Sequence, residues 1–276
     1  MGVHERPLLR DVRHSMKTLA GFFGLDRNAS RERRMRLRLD IADTAVYAIG
    51  DVHGCLSELV ALEREIAADA AALPGRKLII MLGDYIDRGP EPCQVIEHLM
   101  APPPEGFERV CLTGNHEVAM LDYLDGRLSL LDWMLMGAQA TLLSYGIDHD
   151  RLGQVHQSLR RVDEAVRSAI PASHVAFLRS LPIMVEAERY VFVHAGIRPE
   201  LELDQQSDDD LIYIRSAFYE SPHPLTKYVV HGHTPVLDAG MQRGRINIDT
   251  GCFYSGRLTS LRIFRDKGSY LSNRPG

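Results

Sequence analysis

The sequence contains few cysteines, and their spacing excludes two common kinds of site. The cysteines occur singly and never as a Cys-x-x-Cys pair; they are Cys55, Cys93, Cys111 and Cys252. Isolated cysteines provide neither the thiolate set of a structural zinc site nor the framework of a disulfide-stapled domain. We therefore expect reduced thiols, with Cys55 packed as a small, half-buried side chain.

Long apolar runs and a strong excess of one charge are also absent. No stretch approaches the roughly 20 apolar residues that a membrane span needs, and the first residues lack the pattern of a secretory signal. The formal net charge is −5, whereas nucleic-acid-binding chains usually carry a basic excess. These absences predict a cytoplasmic protein with no transmembrane segment and no nucleic-acid partner.

Basic charge is concentrated at the start of the chain. Residues 1–40 hold ten Lys or Arg against five Asp or Glu, and apolar residues from Val12 to Phe23 recur at helical spacing. This pattern predicts a basic N-terminal extension, residues 1–40, with an amphipathic helix. We expect the helix to dock on its own domain or on a second copy; the alternative is contact with a partner or a membrane surface.

The rest of the chain, residues 41–276, reads as one α/β domain. The alternation in RMRLRLDIA predicts an edge strand, and strand and helix patterns then alternate through residue 124. Residues 125–172 show only helical periodicity, interrupted near Gly146, and predict a helical cap inserted into the domain. The last third returns to strands.

Polar side chains of metal-ligand type follow the predicted core strands. They are Asp51, His53, Asp84, Asn115, His194 and His233. Because ligands in α/β folds lie at the strand tips, we expect these side chains to gather at one edge. Mixed oxygen and nitrogen donors suit manganese, iron or zinc, and six ligands suit two metals that share a bridging carboxylate.

The segments GDVHG, GDYIDRG, GNHE, VHAG and GHTP, in that order, resemble the motifs of calcineurin-like metallophosphoesterases. GDYIDRG is especially similar to the PPP phosphoprotein phosphatases, and NIDTG with YSGRLTSLRI resembles bacterial members such as the phage lambda phosphatase and symmetrical diadenosine tetraphosphate hydrolases. The resemblance runs from about Ala48 to Ile263. It implies a four-layer αββα sandwich of two mixed β-sheets with flanking helices and a dinuclear centre between the sheet edges.

The resemblance also implies a role for each site residue. Asp51 and His53 would bind the first metal with Asp84 as the bridge, while Asn115, His194 and His233 would complete the second. The same comparison leaves His231 ambiguous, either supporting the ligands or exposed. Glu117 would support its loop and take no part in catalysis.

The remaining roles concern the phosphoryl group and the proton. His116 would be the general acid, oriented by Asp87, and Arg88 and Arg215 would clamp the phosphoryl oxygens beside Asn115. One departure is Thr113, which stands where eukaryotic PPP enzymes carry an arginine.

These roles predict a phosphomonoesterase in which a hydroxide held between two divalent metals, manganese by preference, attacks phosphorus directly. Phosphoserine, phosphothreonine or phosphotyrosine in proteins or peptides is the expected substrate. The alternatives are hydrolysis of diadenosine tetraphosphate or another nucleotide, and a non-catalytic scaffold, against which the intact ligand set argues.

Overall fold

Alternating strands and helices in the first half of the chain build a five-stranded mixed sheet. The computed structural model describes residues 33–148, 158–265 and 267–273. The strands of this sheet are β2 (Thr44–Ile49), β3 (Arg76–Met81), β4 (Glu108–Cys111), β10 (Thr259–Phe264) and β11 (Lys267–Ser272). Their spatial order is β11-β10-β2-β3-β4; β2, β3 and β4 run parallel, and β10 runs antiparallel to both of its neighbours.

The other strands form a six-stranded mixed sheet. They are β1 (Arg36–Arg38), β5 (Met184–Glu186), β6 (Tyr190–Val193), β7 (Tyr228–His231), β8 (Gly240–Gln242) and β9 (Arg245–Asn247). Their spatial order is β1-β5-β6-β7-β9-β8. Strands β6, β7 and β9 are parallel, so their carboxyl ends meet on one side of the sheet.

Helices cover the outer faces of both sheets. Those within the described ranges are α1 (Leu56–Ala70), α2 (Pro92–Met100), α3 (Asn115–Leu124), α4 (Leu130–Leu135), α5 (Ala138–Ser144), α6 (Leu159–Ala169), α7 (Ala172–Ser180), α8 (Asp208–Tyr213), α9 (Ser216–Tyr219) and α10 (Cys252–Ser255). None of these described helices is long and apolar enough to cross a membrane.

The side-chain alternation of β2 shows how the layers are joined. Val46 and Ala48 belong to the cluster buried between the two sheets, whereas Tyr47 and Ile49 belong to the cluster beneath the helices. Successive residues of a strand point to opposite faces, so a strand covered on both sides reads as a continuous apolar run. The predicted α/β sandwich of two mixed sheets with flanking helices is therefore confirmed.

The start of the described chain belongs to the second sheet. Strand β1 lies at the edge of that sheet, as the alternation in RMRLRLDIA predicts, and pairs in parallel with β5. One compact unit begins at Arg34, inside the stretch assigned to the extension by its charge. The amphipathic helix predicted from Val12 to Phe23 lies outside the described residues.

The tract predicted as a helical cap contains α4, α5 and α6 in its described part. Helix α5 ends at Ser144, and Gly146, where the periodicity breaks, has a left-handed φ of 77°. The tract ends where α7 begins at Ala172. Its role as a helical cap stays a prediction.

Phe192 offers a test of the packing between the sheets, because it is fully buried there. Phe192→Ala should lower the free energy of unfolding by about 3–5 kcal/mol, since it removes apolar contacts and leaves a cavity. Chemical denaturation followed by circular dichroism measures the change. Leu237→Ala is the control: its side chain is 89% exposed, and the change should stay within about 0.5 kcal/mol. Equal losses would contradict the burial of Phe192 between the sheets.

Candidate active site

The predicted ligands follow strands whose carboxyl ends meet where the two sheets face each other. They are Asp51 and His53 after β2, Asp84 after β3, Asn115 after β4, His194 after β6 and His233 after β7. Two contacts between the sheets join these ends: His194 Nδ1 lies 3.0 Å from Leu82 O, and the backbone N–H of His233 donates to Asp51 Oδ2 at 3.0 Å. Residues from distant parts of the sequence therefore share one buried region.

The backbone of this region is strained at several site residues. His53, Asp84 and His233 have left-handed φ values of 44°, 54° and 66°, and Asp87 and Arg88 have values of 65° and 68°. A non-glycine residue in this conformation costs of order 1–3 kcal/mol and is usually found where function requires it. The turns aim these side chains away from the strands and toward one another.

Glycines let the strand ends approach closely. A Cβ on Gly114 would lie 2.2 Å from Asp84 Oδ1, and a Cβ on Gly232 would lie 2.0 Å from Asp51 Oδ1. Real Cβ atoms do not come this near to an oxygen, so any larger residue would displace a carboxylate. The glycines of GNHE and HGHTP are therefore required by the spacing of the site.

Asn115, His194 and His233 form one set of donor atoms. Asn115 Oδ1 lies 2.9 Å from both His194 Nε2 and His233 Nδ1, and Asp84 Oδ2 lies 3.5 Å from His194 Nε2. The contact with Leu82 O keeps a proton on His194 Nδ1 and leaves Nε2 with its lone pair. Lone pairs converging at these distances repel one another unless a cation lies among them, so this set fits a divalent metal.

His53 and Asp84 form the second set, and the third donor within 4.8 Å of both is on His116; Asp51, predicted for this set, belongs to neither group. His53 Nδ1 faces the carbonyl of Ile86 at 2.8 Å, which leaves Nε2 directed toward Asp84 Oδ2 at 3.5 Å. The same Nε2 also lies 3.1 Å from Arg88 Nη1. A metal at His53 therefore requires the guanidinium of Arg88 to withdraw from this nitrogen, and the exposed position of Arg88 allows that.

Burial sets the charge of the donor atoms. Desolvation lowers the pKa of His53 and His233 well below the ordinary value and lowers that of His194, so these imidazoles are neutral, as metal ligands must be. Desolvation and the charge of Asp249 raise the pKa of Asp51, and desolvation raises that of Asp249 to about 6. Carboxylates crowded into a buried region with neutral imidazoles fit a centre that divalent cations neutralise.

His116 and Asp87 form a buried pair beside the donor atoms. His116 Nδ1 lies 2.7 Å from Asp87 Oδ2, and His116 Nε2 lies 3.8 Å from Asp84 Oδ2. Burial alone would lower the pKa of His116, but the carboxylates of Asp84 and Asp87 outweigh it and raise the pKa. The imidazole is therefore held toward its protonated form, with Nε2 on the side of the site.

Helices α4 and α5 fix the orientation of Asp87. Trp133 Nε1 donates to Asp87 Oδ2 at 3.1 Å, and Thr141 Oγ1 donates to Asp87 Oδ1 at 2.6 Å. The backbone N–H of Asp87 donates in return to Thr141 Oγ1 at 2.9 Å. Helices α4 and α5 therefore contact the site through Asp87.

Glu117 supports the loops and does not reach the donor atoms. Its carboxylate accepts hydrogen bonds from the backbone N–H groups of Gly114, Asp84 and Tyr85 at 2.8, 2.9 and 2.8 Å. These bonds tie the turn after β3 to the start of α3. This is the supporting position that the sequence analysis expects.

The two predicted clamp residues lie at the exposed rim of the site. Arg88 Cζ lies 5.1 Å from the centroid of the Phe253 ring, and Arg215 Nη1 donates to Thr234 Oγ1 at 3.1 Å. Thr113 is fully buried, and its hydroxyl donates to the Gly114 carbonyl at 3.4 Å. Thr113 therefore adds no charge to this rim.

His231 is buried, which excludes the exposed alternative. Its ring packs against Phe218 and Tyr219, with centroids 5.1 and 5.5 Å away, and its Nδ1 lies 3.4 Å from the Tyr219 hydroxyl. Burial lowers its pKa to about 4. It is thus a neutral, buried residue packed against α9.

Several residues of the site escaped the sequence analysis. Asp249 lacks the preceding glycine of Asp51 and Asp84, but it also follows a strand, β9, and that position could have identified it. The hydrogen bonds of Trp133 and Thr141 to Asp87 have no local sequence signal.

Two cysteines lie close together, and Cys55, which was expected to be half-buried, is buried. Cys55 and Cys252 are buried, and their sulfurs lie with a Glu58 oxygen within 4.8 Å of one another. Their separation in sequence gave no indication of this proximity.

A profile of the calcineurin-like phosphoesterases matches residues 44–263. The chain belongs to this family. The predicted resemblance is thereby confirmed, and membership implies divalent metals, for which the donor atoms described above are candidates.

One curated protein and two solved structures are similar to the chain. The chain is 25% identical over 234 residues to an asymmetrical bis(5'-nucleosyl)-tetraphosphatase, PrpE, of Anoxybacillus flavithermus, covering 78% of this chain and 88% of that protein. A structure with the provisional name of diadenosine tetraphosphatase has a TM-score of 0.60 and 18% identity, covering 88% of this chain and all of that one. A Saccharomyces cerevisiae protein serine/threonine phosphatase has a TM-score of 0.54 and 12% identity, covering 87% and 84%. The two structures share the fold.

Asp84→Asn tests the shared carboxylate, because Asp84 Oδ2 faces both sets of donor atoms. The substitution should reduce bound metal from about two ions per chain to less than one, since an amide is neutral and a weaker ligand. Elemental analysis after incubation with Mn²⁺ and gel filtration measures this. Asp238→Asn, at a side chain that is 85% exposed, should keep the full content. An unchanged metal content in Asp84→Asn would contradict the bridging role.

Proposed function

We propose that this phosphoesterase hydrolyses dinucleoside tetraphosphates of the diadenosine tetraphosphate type, with two divalent metals. The observation that carries the proposal is the similarity to the tetraphosphatase PrpE, which extends over 78% of this chain. Phosphoproteins were the substrate expected from the sequence, with dinucleotides as the alternative, and the similarity supports the alternative better.

Six side chains would hold the metals. Asp51, His53 and Asp84 would bind the first, and Asp84, Asn115, His194 and His233 the second. When bound, divalent cations polarise phosphoryl oxygens and lower the pKa of water so that a nucleophile exists at neutral pH. Manganese is our expectation because the donors are mixed oxygen and nitrogen atoms, with iron and zinc as alternatives.

Arg88 and Arg215 would bind the phosphoryl oxygens. Both are exposed at the rim of the donor cluster, and the charge of Arg88 is close enough to act on Arg215. Guanidinium groups form bidentate hydrogen bonds with phosphate. A tetraphosphate carries several negative charges in a row, so two cationic side chains beside the metals suit it, with the Asn115 amide as a further contact.

His116 would hold the proton that the leaving group takes. Its Nδ1 contact with Asp87 Oδ2 at 2.7 Å sets the ring so that Nε2 is the nitrogen on the side of the site. Nε2 would donate to the departing oxygen as the bond to phosphorus breaks. Asp87 would be a positioning residue, kept in place by Trp133 and Thr141.

Hydrolysis of phosphoproteins is the second candidate, and the His116–Asp87 pair favours it. The alkoxide that leaves from phosphoserine is strongly basic and needs a general acid, whereas a phosphate that leaves from an anhydride needs one far less. The predicted N-terminal amphipathic helix, outside the described residues, would then be a surface for a partner. A non-catalytic scaffold is disfavoured, because the donor atoms and the buried acid are all present.

A substrate panel tests the assignment. With Mn²⁺ present, kcat/KM for diadenosine tetraphosphate should exceed that for phosphoserine, phosphothreonine and phosphotyrosine peptides by at least tenfold, and chromatography of the products identifies the bond cleaved. Faster turnover of a peptide than of the dinucleotide would replace the first candidate with the second. No turnover of either, or of p-nitrophenyl phosphate, would revive the scaffold.

His116→Ala tests the proton donor. Activity on an alkyl ester such as phosphoserine should fall by about 10²–10⁴-fold, the usual contribution of a general acid, whereas p-nitrophenyl phosphate should lose much less because its leaving group departs unprotonated. Steady-state kinetics with both substrates gives the two ratios. His98→Ala, on α2 and bonded to Glu63, is a histidine control. Equal losses on both substrates would exclude the acid role.

A further inference from the structure

Two aromatic side chains stand exposed directly beside the donor atoms. Phe253 and Tyr254 lie on the short helix α10, and their side chains are 37% and 61% exposed. Their rings are 4.9 Å apart and perpendicular. The proposed mechanism assigns them no task, although exposed aromatic pairs beside a binding site often contact a ligand.

Helix α10 holds this pair rigidly. Left-handed glycines bound it on both sides, with φ of 64° at Gly251 and 65° at Gly256. Cys252 is buried beneath it, and Ser255 Oγ donates to the Thr250 carbonyl at 2.8 Å. A Cβ on Gly251 would lie 2.1 Å from Tyr254 Cζ, so the tyrosine ring rests on the glycine backbone.

The pair is continuous with the site. The Phe253 ring lies 5.4 Å from the ring of His53, centroid to centroid, and 5.1 Å from Arg88 Cζ. Arg88 is the proposed phosphate clamp, and His53 is a proposed metal ligand. A group attached to a phosphate that Arg88 binds would therefore lie next to this aromatic surface.

We propose that Phe253 and Tyr254 form a stacking platform for a nucleobase of the substrate. Tyr254 would contact the base, while Phe253 would support both Tyr254 and Arg88. A nucleobase suits the platform because it is flat, and each base offers a π-face to an aromatic side chain. The inference rests on the proposed function in taking the substrate to be a nucleotide.

Inhibition of p-nitrophenyl phosphate hydrolysis tests the platform without requiring turnover of a nucleotide. The inhibitors are AMP and ribose 5-phosphate, which differ by the base. AMP should inhibit the native protein more strongly, by about tenfold in Ki, and Tyr254→Ala should abolish that advantage while Tyr254→Phe keeps it. Tyr270→Ala is the control, at an exposed tyrosine on β11, and should leave the ratio unchanged.

The outcomes separate this inference from the proposed function. An AMP advantage that survives in Tyr254→Ala, or that is absent from the native protein, overturns the platform. Phenyl phosphate is a further inhibitor, and a Tyr254→Ala loss as large for it as for AMP also overturns the nucleobase assignment, in favour of phosphotyrosine. Failure to hydrolyse diadenosine tetraphosphate, with the AMP advantage lost in Tyr254→Ala, defeats the proposed function and leaves the platform standing.

Discussion

The crowding of carboxylates and imidazoles at the buried strand ends is the constraint on which the rest of the structure depends. Asp51, Asp84 and Asp249 lie within a few residues of the sheets and are nearly inaccessible to water. An unpaired buried charge costs several kcal/mol. The cationic side chains described at the rim, Arg88 and Arg215, lie on the exposed surface and not among these buried carboxylates. The fold tolerates this arrangement if divalent ions complete it, so metal binding and stability of these turns are linked.

The strained turns, the glycines beside the carboxylates and the burial of the site all follow from that crowding. Left-handed turns at His53, Asp84 and His233 direct donors inward, and glycines remove the Cβ atoms that would block them. The sandwich holds these turns in place, because the carboxyl-terminal residues of β2, β3 and β7 are buried and cannot shift without disturbing the core. The strained turns therefore follow directly after buried strand ends.

Sequence alone predicted the parts of this architecture that are local or periodic. Buried strands that end in Gly-Asp or Gly-Asn predict both the sheet and the candidate ligands, because the apolar run and the polar residue after it are adjacent in the chain. The contacts of α4 and α5 with the site could not be predicted from local patterns, because the hydrogen bonds from Trp133 and Thr141 to Asp87 join residues about 50 positions apart. The proximity of Cys55 and Cys252 is hidden for the same reason, and the burial of His231 depends on how α9 packs.

The hydrogen bonds of Asp87 connect helices α4 and α5 with the proposed proton donor. All six proposed metal ligands lie outside residues 125–172. Trp133 and Thr141, which donate hydrogen bonds to the carboxylate of Asp87, lie within that range. The proposed metal ligands and the partners of Asp87 therefore come from different segments of one compact unit. Substitutions at Trp133 or Thr141 would therefore loosen one carboxylate while leaving every proposed ligand in place, so the two groups of side chains are free to vary independently.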